Sequence, residues 1–127
     1  MANKTFTVIG DSIPKGIITK DNQISLAKQN AVDIVQDYYK VTINNFSFYG
    51  QTLKRIYSKN LLDQLIQSLK QENNNYVIFS IGGNDADYNW QKVAEEPNKK
   101  QEPVTPIKEF KKILQKSITK LKTIILM

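Results

Sequence analysis

The chain has 127 residues, 40% hydrophobic and 24% charged, a balance that suits one packed domain and excludes the polar, aromatic-poor profile of disorder. It contains no cysteine and no histidine, which removes disulfides, thiolate chemistry and the ordinary neutral-pH general base together. The formal charge of +6 would suit nucleic acid if the lysines stood among aromatic platforms, but most of those from Lys108 onward fall on the outward face of a predicted helix.

No nucleic-acid partner is therefore expected. Met1 to Thr7 has no apolar run of signal-peptide length, and no stretch reaches the roughly 20 apolar residues of a membrane span. The expectation is a cytoplasmic protein without stable membrane insertion.

In chain order, Thr5 to Ile9 is a β-rich run ended by Gly10-Asp11-Ser12, which reads as a strand entering a tight turn. Ser25 is placed to cap a helix with Ala27, Ala31, Val35 and Tyr38 on one face. Val41 to Phe48 reads as a second strand, broken by Gly50. An amphipathic helix follows, with Leu61, Leu62, Leu65, Ile66 and Leu69 in a stripe that should face a sheet. Tyr76 to Ile81 is almost continuously apolar, as expected for a strand buried on both faces of a parallel sheet, and it runs into Gly82-Gly83-Asn84-Asp85.

Asp87 to Pro106 reads as a loop and holds three of the four prolines. Thr105-Pro106 then resembles a cap and first helical residue, for a helix packing through Ile107, Phe110, Leu114, Ile118 and Leu121. Thr123 to Met127 reads as a fourth apolar strand. Alternation of strand and helix predicts an α/β layered fold with a mostly parallel sheet and right-handed crossovers, in a single domain over residues 1–127. In such sheets, sites form at the carboxyl ends of strands, where Gly10-Asp11-Ser12, Gly50 and Gly82-Gly83-Asn84-Asp85 all lie.

Acyl-transfer chemistry needs a serine oxygen clear of the backbone and several N–H donors aimed at the developing oxyanion. Ser12 answers the first need and can add its own N–H. Gly50, lacking a side chain, leaves its N–H open to a ligand, and Asn84 can add a side-chain amide. Each feature alone is more often a turn, a strand terminator or a loop; three of them in order at strand ends point to one pocket.

Val8-Ile9-Gly10-Asp11-Ser12, Asn45 to Thr52 centred on Gly50, and Ile81-Gly82-Gly83-Asn84-Asp85 resemble the first three sequence blocks of the SGNH (GDSL-type) hydrolase family. The resemblance implies a flavodoxin-like three-layer α/β/α sandwich. It also implies an esterase or lipase acting on a small-molecule ester, with Ser12 as nucleophile, Gly50 and Asn84 as oxyanion donors beside the Ser12 N–H, and Asp11 supporting the turn. Ile13 stands where the family's nickname has leucine. The family's last block, Asp-x-x-His, which supplies the general base and its orienting acid, has no counterpart here. The expectation is a C-terminally incomplete domain, missing its final strand and helix, inactive or very slow alone, with an uncovered sheet edge favouring self-association.

Two rivals carry less weight. Ser12-Ile13-Pro14-Lys15 fits Ser-x-x-Lys, but Pro14 disfavours a regular helical turn there and the partner motifs are absent. A non-catalytic flavodoxin-like module could hold a ligand on the Ser12 turn, though no phosphate-binding glycine motif is present. Asp87, Tyr88 and Trp90 are candidates to wall a substrate pocket, with Asp85 beside them and also suited to capping the turn that positions Asn84. Asp85 and Asp87 alone make no metal site, and no metal or other cofactor is expected.

Overall fold

The structure, a computed structural model, describes residues 4–69 and 75–125. The chain divides into two compact units, residues 1–51 with 68–81 and residues 52–67 with 82–127. Each is described by itself.

The first unit contains β1 (Thr5–Gly10), α1 (Ser12–Lys15), β2 (Ile17–Lys20), β3 (Gln23–Leu26), α2 (Ala31–Tyr39), β4 (Thr42–Ser47) and β5 (Asn75–Ser80). β1, β4 and β5 form a parallel sheet in the order β4-β1-β5, the 2-1-3 order of a flavodoxin-like start. Gly10 is level with Ser47 on one side and Ser80 on the other, so all three strands end at one edge. The fold is α/β with a parallel sheet, as the strand-helix alternation implies.

The buried central strand is β1, where Thr7, Val8 and Ile9 lose nearly all contact with solvent. β5, expected to be buried on both faces, is an edge strand among the described residues: Tyr76 is 48% and Ile78 46% exposed. Its apolar run fits a buried strand and a half-covered one equally well, and strand order decides between them. Tyr76 stacks on Phe6 with ring centroids 5.1 Å apart. The Thr7 hydroxyl is fully buried and has no hydrogen-bond partner among the described residues. Thr7→Val should therefore raise unfolding stability by about 1 kcal/mol, seen as a higher urea midpoint at unchanged slope, because an unpaired hydroxyl is exchanged for a methyl of the same shape.

Residues 17–26, expected in part to open a helix, form an antiparallel hairpin instead. Asp21 (φ 52°) and Asn22 (φ 60°) are both left-handed, the geometry of a two-residue type I′ turn. Ser25 lies in β3 and caps nothing; the cap is Asn30, whose side chain accepts from Asp33 N while the Asp33 carboxylate accepts from Asn30 N. The expected inward face of α2 is also not buried, since Val35 and Tyr38 are exposed.

The second unit contains α3 (Leu53–Ser58), most of α4 (Leu61–Leu69), α5 (Gly83–Ala86), α6 (Trp90–Glu95) and α7 (Ile107–Ile125). α3 and α6 have no counterpart among the expected elements; each is a short helix with its own cap, Thr52 accepting from Arg55 N and Asn89 from Lys92 N. In α4 the predicted stripe is partly realised, with Leu62, Ile66 and Leu69 buried and Leu61 and Leu65 half-buried.

α7 begins at Ile107, one residue later than Thr105-Pro106 predicts, with Phe110 N donating to Pro106 O at 2.9 Å; the Thr105 hydroxyl, expected as the cap, donates to Asp85 instead. Its buried row is Ile113, Ser117 and Leu121, whereas Ile107 is 62% and Ile118 40% exposed. The helix is thus rotated from the all-apolar stripe. Ser117 can enter this row because its hydroxyl donates to the Ile113 carbonyl one turn back, at 2.8 Å. Ionic contacts add to the packing of α7 on α3 and α4: Lys54 meets Glu109 at 3.1 Å, and Lys120 meets Asp63 at 3.0 Å. Lys116 and Lys120 also stand over the Tyr57 ring.

The predicted fourth strand is corrected too. Thr123 to Ile125 continue α7, and residues 126–127 lie outside the described residues. Short apolar runs carry no period long enough to separate strand from helix, and no breaker precedes this one. Among the described residues, no helix is long and apolar enough to cross a membrane.

Candidate active site

The first unit holds Asp11, Ser12 and Gly50. β1 ends at Gly10, where any side chain would collide: a Cβ would stand 2.4 Å from Pro14 Cγ and 3.0 Å from both Ser47 Oγ and Ser80 O. Glycine is what lets α1 fold directly over the strand end. The Asp11 carboxylate, nearly buried, caps that turn by accepting the Ile13 N–H at 3.0 Å. Ser12 is the first residue of α1, where backbone N–H groups lack partners within the helix. Its hydroxyl has no hydrogen-bond partner among the described residues.

Contrary to the expectation from Pro14, Ser12 to Lys15 do form a helical turn, closed by Gly16 in the left-handed region at φ 84°. Pro14 is tolerated because its missing N–H falls in the first turn, where it has no acceptor to lose. The Pro14 carbonyl instead accepts the Asn45 side-chain amide at 2.7 Å, tying the turn to β4. Lys15 Nζ stands 6.0 Å from the Phe48 ring centroid, so the lysine is held toward the neighbouring turn.

That neighbouring turn carries Gly50. Phe48 N donates to Gly10 O at 3.2 Å, and Gln51 N donates to Phe48 O at 3.3 Å. Gly50, at φ 68°, occupies the turn position that demands a positive φ, and nothing lies within 4 Å of where its Cβ would be. Adjacent strand ends thus bring the Ser12 turn and the Gly50 turn to the same edge of the sheet, as the sequence anticipates.

The second unit holds Asn84, Asp85, Asp87, Tyr88 and Trp90. Gly82, at φ 121°, starts α5, and a Cβ there would stand 3.2 Å from Phe110 Cζ. Asn84 is half-buried on this short helix and engaged in polar contact. Asp85 is 1% exposed; its Oδ2 accepts from Leu53 N at 2.8 Å, and its Oδ1 from Thr105 Oγ1 at 2.7 Å and Lys54 N at 3.4 Å. It caps α3 and fastens the segment before α7, so its oxygens are spent on the protein. Thr105 N donates back to Asp85 O at 2.9 Å, and Val104 N to Asp87 O at 2.7 Å.

Asp87 Oδ1 accepts the Tyr88 N–H and the Trp90 indole N–H, both at 2.8 Å. The two rings lie 5.8 Å apart, and Trp90 remains 63% exposed. A hollow of about 270 Å³ opens beside α5, walled by Ala86, Tyr88, Pro103, Ile107 and Phe110. Of the residues that line it, Asp85 and Tyr88 are candidates from sequence. The signal for the others is the Thr105-Pro106 helix start, which places the first turn of α7 next to Gly82 and Ala86.

A family model described as GDSL-like lipase/acylhydrolase matches residues 6–127. No curated protein matches the chain.

Proposed function

Because the chain belongs to the GDSL-like lipase/acylhydrolase family, we propose that it carries the nucleophile and oxyanion donors of an ester hydrolase working through an acyl-serine intermediate. Ser12 Oγ would attack the ester carbonyl carbon, and the C=O pair would move onto oxygen. The N–H groups of Ser12 and Gly50 would stabilise that oxyanion, and by family resemblance the Asn84 side-chain amide is a third donor. Collapse would expel the alcohol, and water would later release the acid. The observation that carries this reading is the unpartnered Ser12 hydroxyl on a capped turn at the sheet edge, beside the open positive-φ turn of Gly50.

The Ser12 proton needs an acceptor, and the 127 residues include no histidine. By family resemblance the acceptor is the imidazole of an Asp-x-x-His block, so this chain alone should turn esters over very slowly or not at all.

An activated alkyl phosphonate tests the assignment without needing turnover. The expected result is covalent modification that disappears in Ser12→Ala, located by peptide mass spectrometry. The competing reading, a non-catalytic flavodoxin-like ligand-binding module, predicts no labelling at Ser12 and protection from thermal unfolding by nucleotides or flavin.

A further inference from the structure

Resting on the hydrolase reading above, we infer that Asn45 is a positioning residue for the proposed nucleophile: its side-chain amide fixes the Ser12 turn against β4, the strand that leads to Gly50. Every group in this arrangement belongs to the first unit.

α1 is a single turn, so its carbonyls have few partners within the helix. Lys15 N donates to Asp11 O at 3.3 Å, and Gly16 N donates to Ser12 O at 3.1 Å and Ile13 O at 3.0 Å. The last two carbonyls are taken by side chains: Asn45 Nδ2 donates to Pro14 O at 2.7 Å, and Asn30 Nδ2 to Lys15 O at 3.4 Å. The Asn45 bond is the shorter of the two and comes from the sheet, whereas Asn30 caps α2.

Asn45 is exposed, and an unrestrained amide could turn either end toward α1. Ser47 sets its direction. That residue is 2% exposed, and its hydroxyl donates to Asn45 Oδ1, which leaves Nδ2 aimed at Pro14 O. Gly10 makes room for the same hydroxyl, since a Cβ there would stand 3.0 Å from Ser47 Oγ. The Gly50 turn is already held to β1 by a backbone bond, Phe48 N to Gly10 O at 3.2 Å, which does not depend on residue type. Asn45 adds a tie that does, two residues after Ser12. Without it the Ser12 hydroxyl and N–H can shift against the Gly50 N–H, and a misplacement of about 1 Å can cost on the order of 100-fold in rate.

The test is the saturation kinetics of Ser12 labelling by a neutral p-nitrophenyl alkylphosphonate. The Ser12 Oγ–P bond forms, the P–O bond to p-nitrophenolate breaks, and the Ser12 proton passes to buffer base. Asn45→Ala removes both bonds of the amide; Asn45→Asp keeps the acceptor for Ser47 but offers Pro14 O no N–H. Both should lower the maximal labelling rate by roughly 100-fold with the half-saturating concentration unchanged. Ser47→Ala, which leaves the amide in place but free to turn, should give a smaller loss in the same direction.

Asn89→Ala, which removes the cap of α6 in the other unit, serves as the control: it should lower the melting temperature and leave the labelling rate at the wild-type value. Wild-type rates in the Asn45 and Ser47 variants, or an equal loss in Asn89→Ala, would overturn the assignment. A wild-type protein that no phosphonate labels removes the hydrolase reading, and the role of Asn45 is then decided by backbone amide shifts. Movement of the Ser12 and Gly50 amides in Asn45→Ala keeps it; unmoved amides at both positions end it.

Discussion

Ser12→Ala, made in the chain joined to a segment bearing Asp-x-x-His, should lower short-chain ester turnover on the order of a million-fold, the scale of nucleophile loss in serine proteases. The variant keeps the backbone N–H at this position, the Gly50 turn and Asn84, so substrate binding should persist while acylation stops. Alanine is a good helix former and the Ser12 hydroxyl bonds nothing in the described residues, so the fold should be unaffected. Asn84→Ala in the same background should cost roughly 100- to 1,000-fold, the range for a single oxyanion donor. Matching rates for the parent protein and its Ser12→Ala variant in a short-chain ester assay would refute the nucleophile assignment.

Asp85→Ala should be the most destabilising single substitution at the site, costing about 3–4 kcal/mol. The carboxylate is 1% exposed and serves two acceptor roles at once, toward the Leu53 and Lys54 amides at the start of α3 and toward the Thr105 hydroxyl. Its removal leaves buried donors with no acceptor. Thr105→Val removes one donor only and should cost about 1–2 kcal/mol. Because both residues share one bond, the double variant should be less destabilised than the two single losses added together, which denaturant unfolding of all four proteins measures. Additive losses would mean that the 2.7 Å contact contributes nothing.

The parts of the fold that are legible in sequence are those whose signal is local. Gly10-Asp11-Ser12 marks the end of β1 because an apolar β-branched run meets a turn, and Gly50 marks the end of β4 for the same reason. Thr105-Pro106 marks the start of α7. What the sequence conceals depends on partners distant along the chain. The hairpin over residues 17–26 is written in Asp21-Asn22, a pair that tolerates left-handed backbone, yet Ser25 offers a competing cap whose rejection only the cross-strand pairing explains. The burial of Ser117 and exposure of Ile107 and Ile118 reverse what hydropathy alone assigns to α7, since the helix turns toward α3 through Ile113, Ser117 and Leu121. Asp85 reads as a turn cap within its own block; its actual partners lie at residues 53, 54 and 105, and no local spacing announces them.

The middle strand of the sheet has no neighbour adjacent in sequence: Thr5 aligns with Thr42 on one side and with Asn75 on the other. The second loop closure spans nearly twice the chain of the first, an added entropic cost of only about 0.6 kcal/mol, but both contacts are non-local and must await a diffusive search. The edge that carries Ser12 and Gly50 can therefore assemble from the first 51 residues, with Ser80 at the end of β5 arriving later. In a refolding experiment, amide protection at Phe6 to Ile9 toward the 42–47 side should precede protection along 76–80.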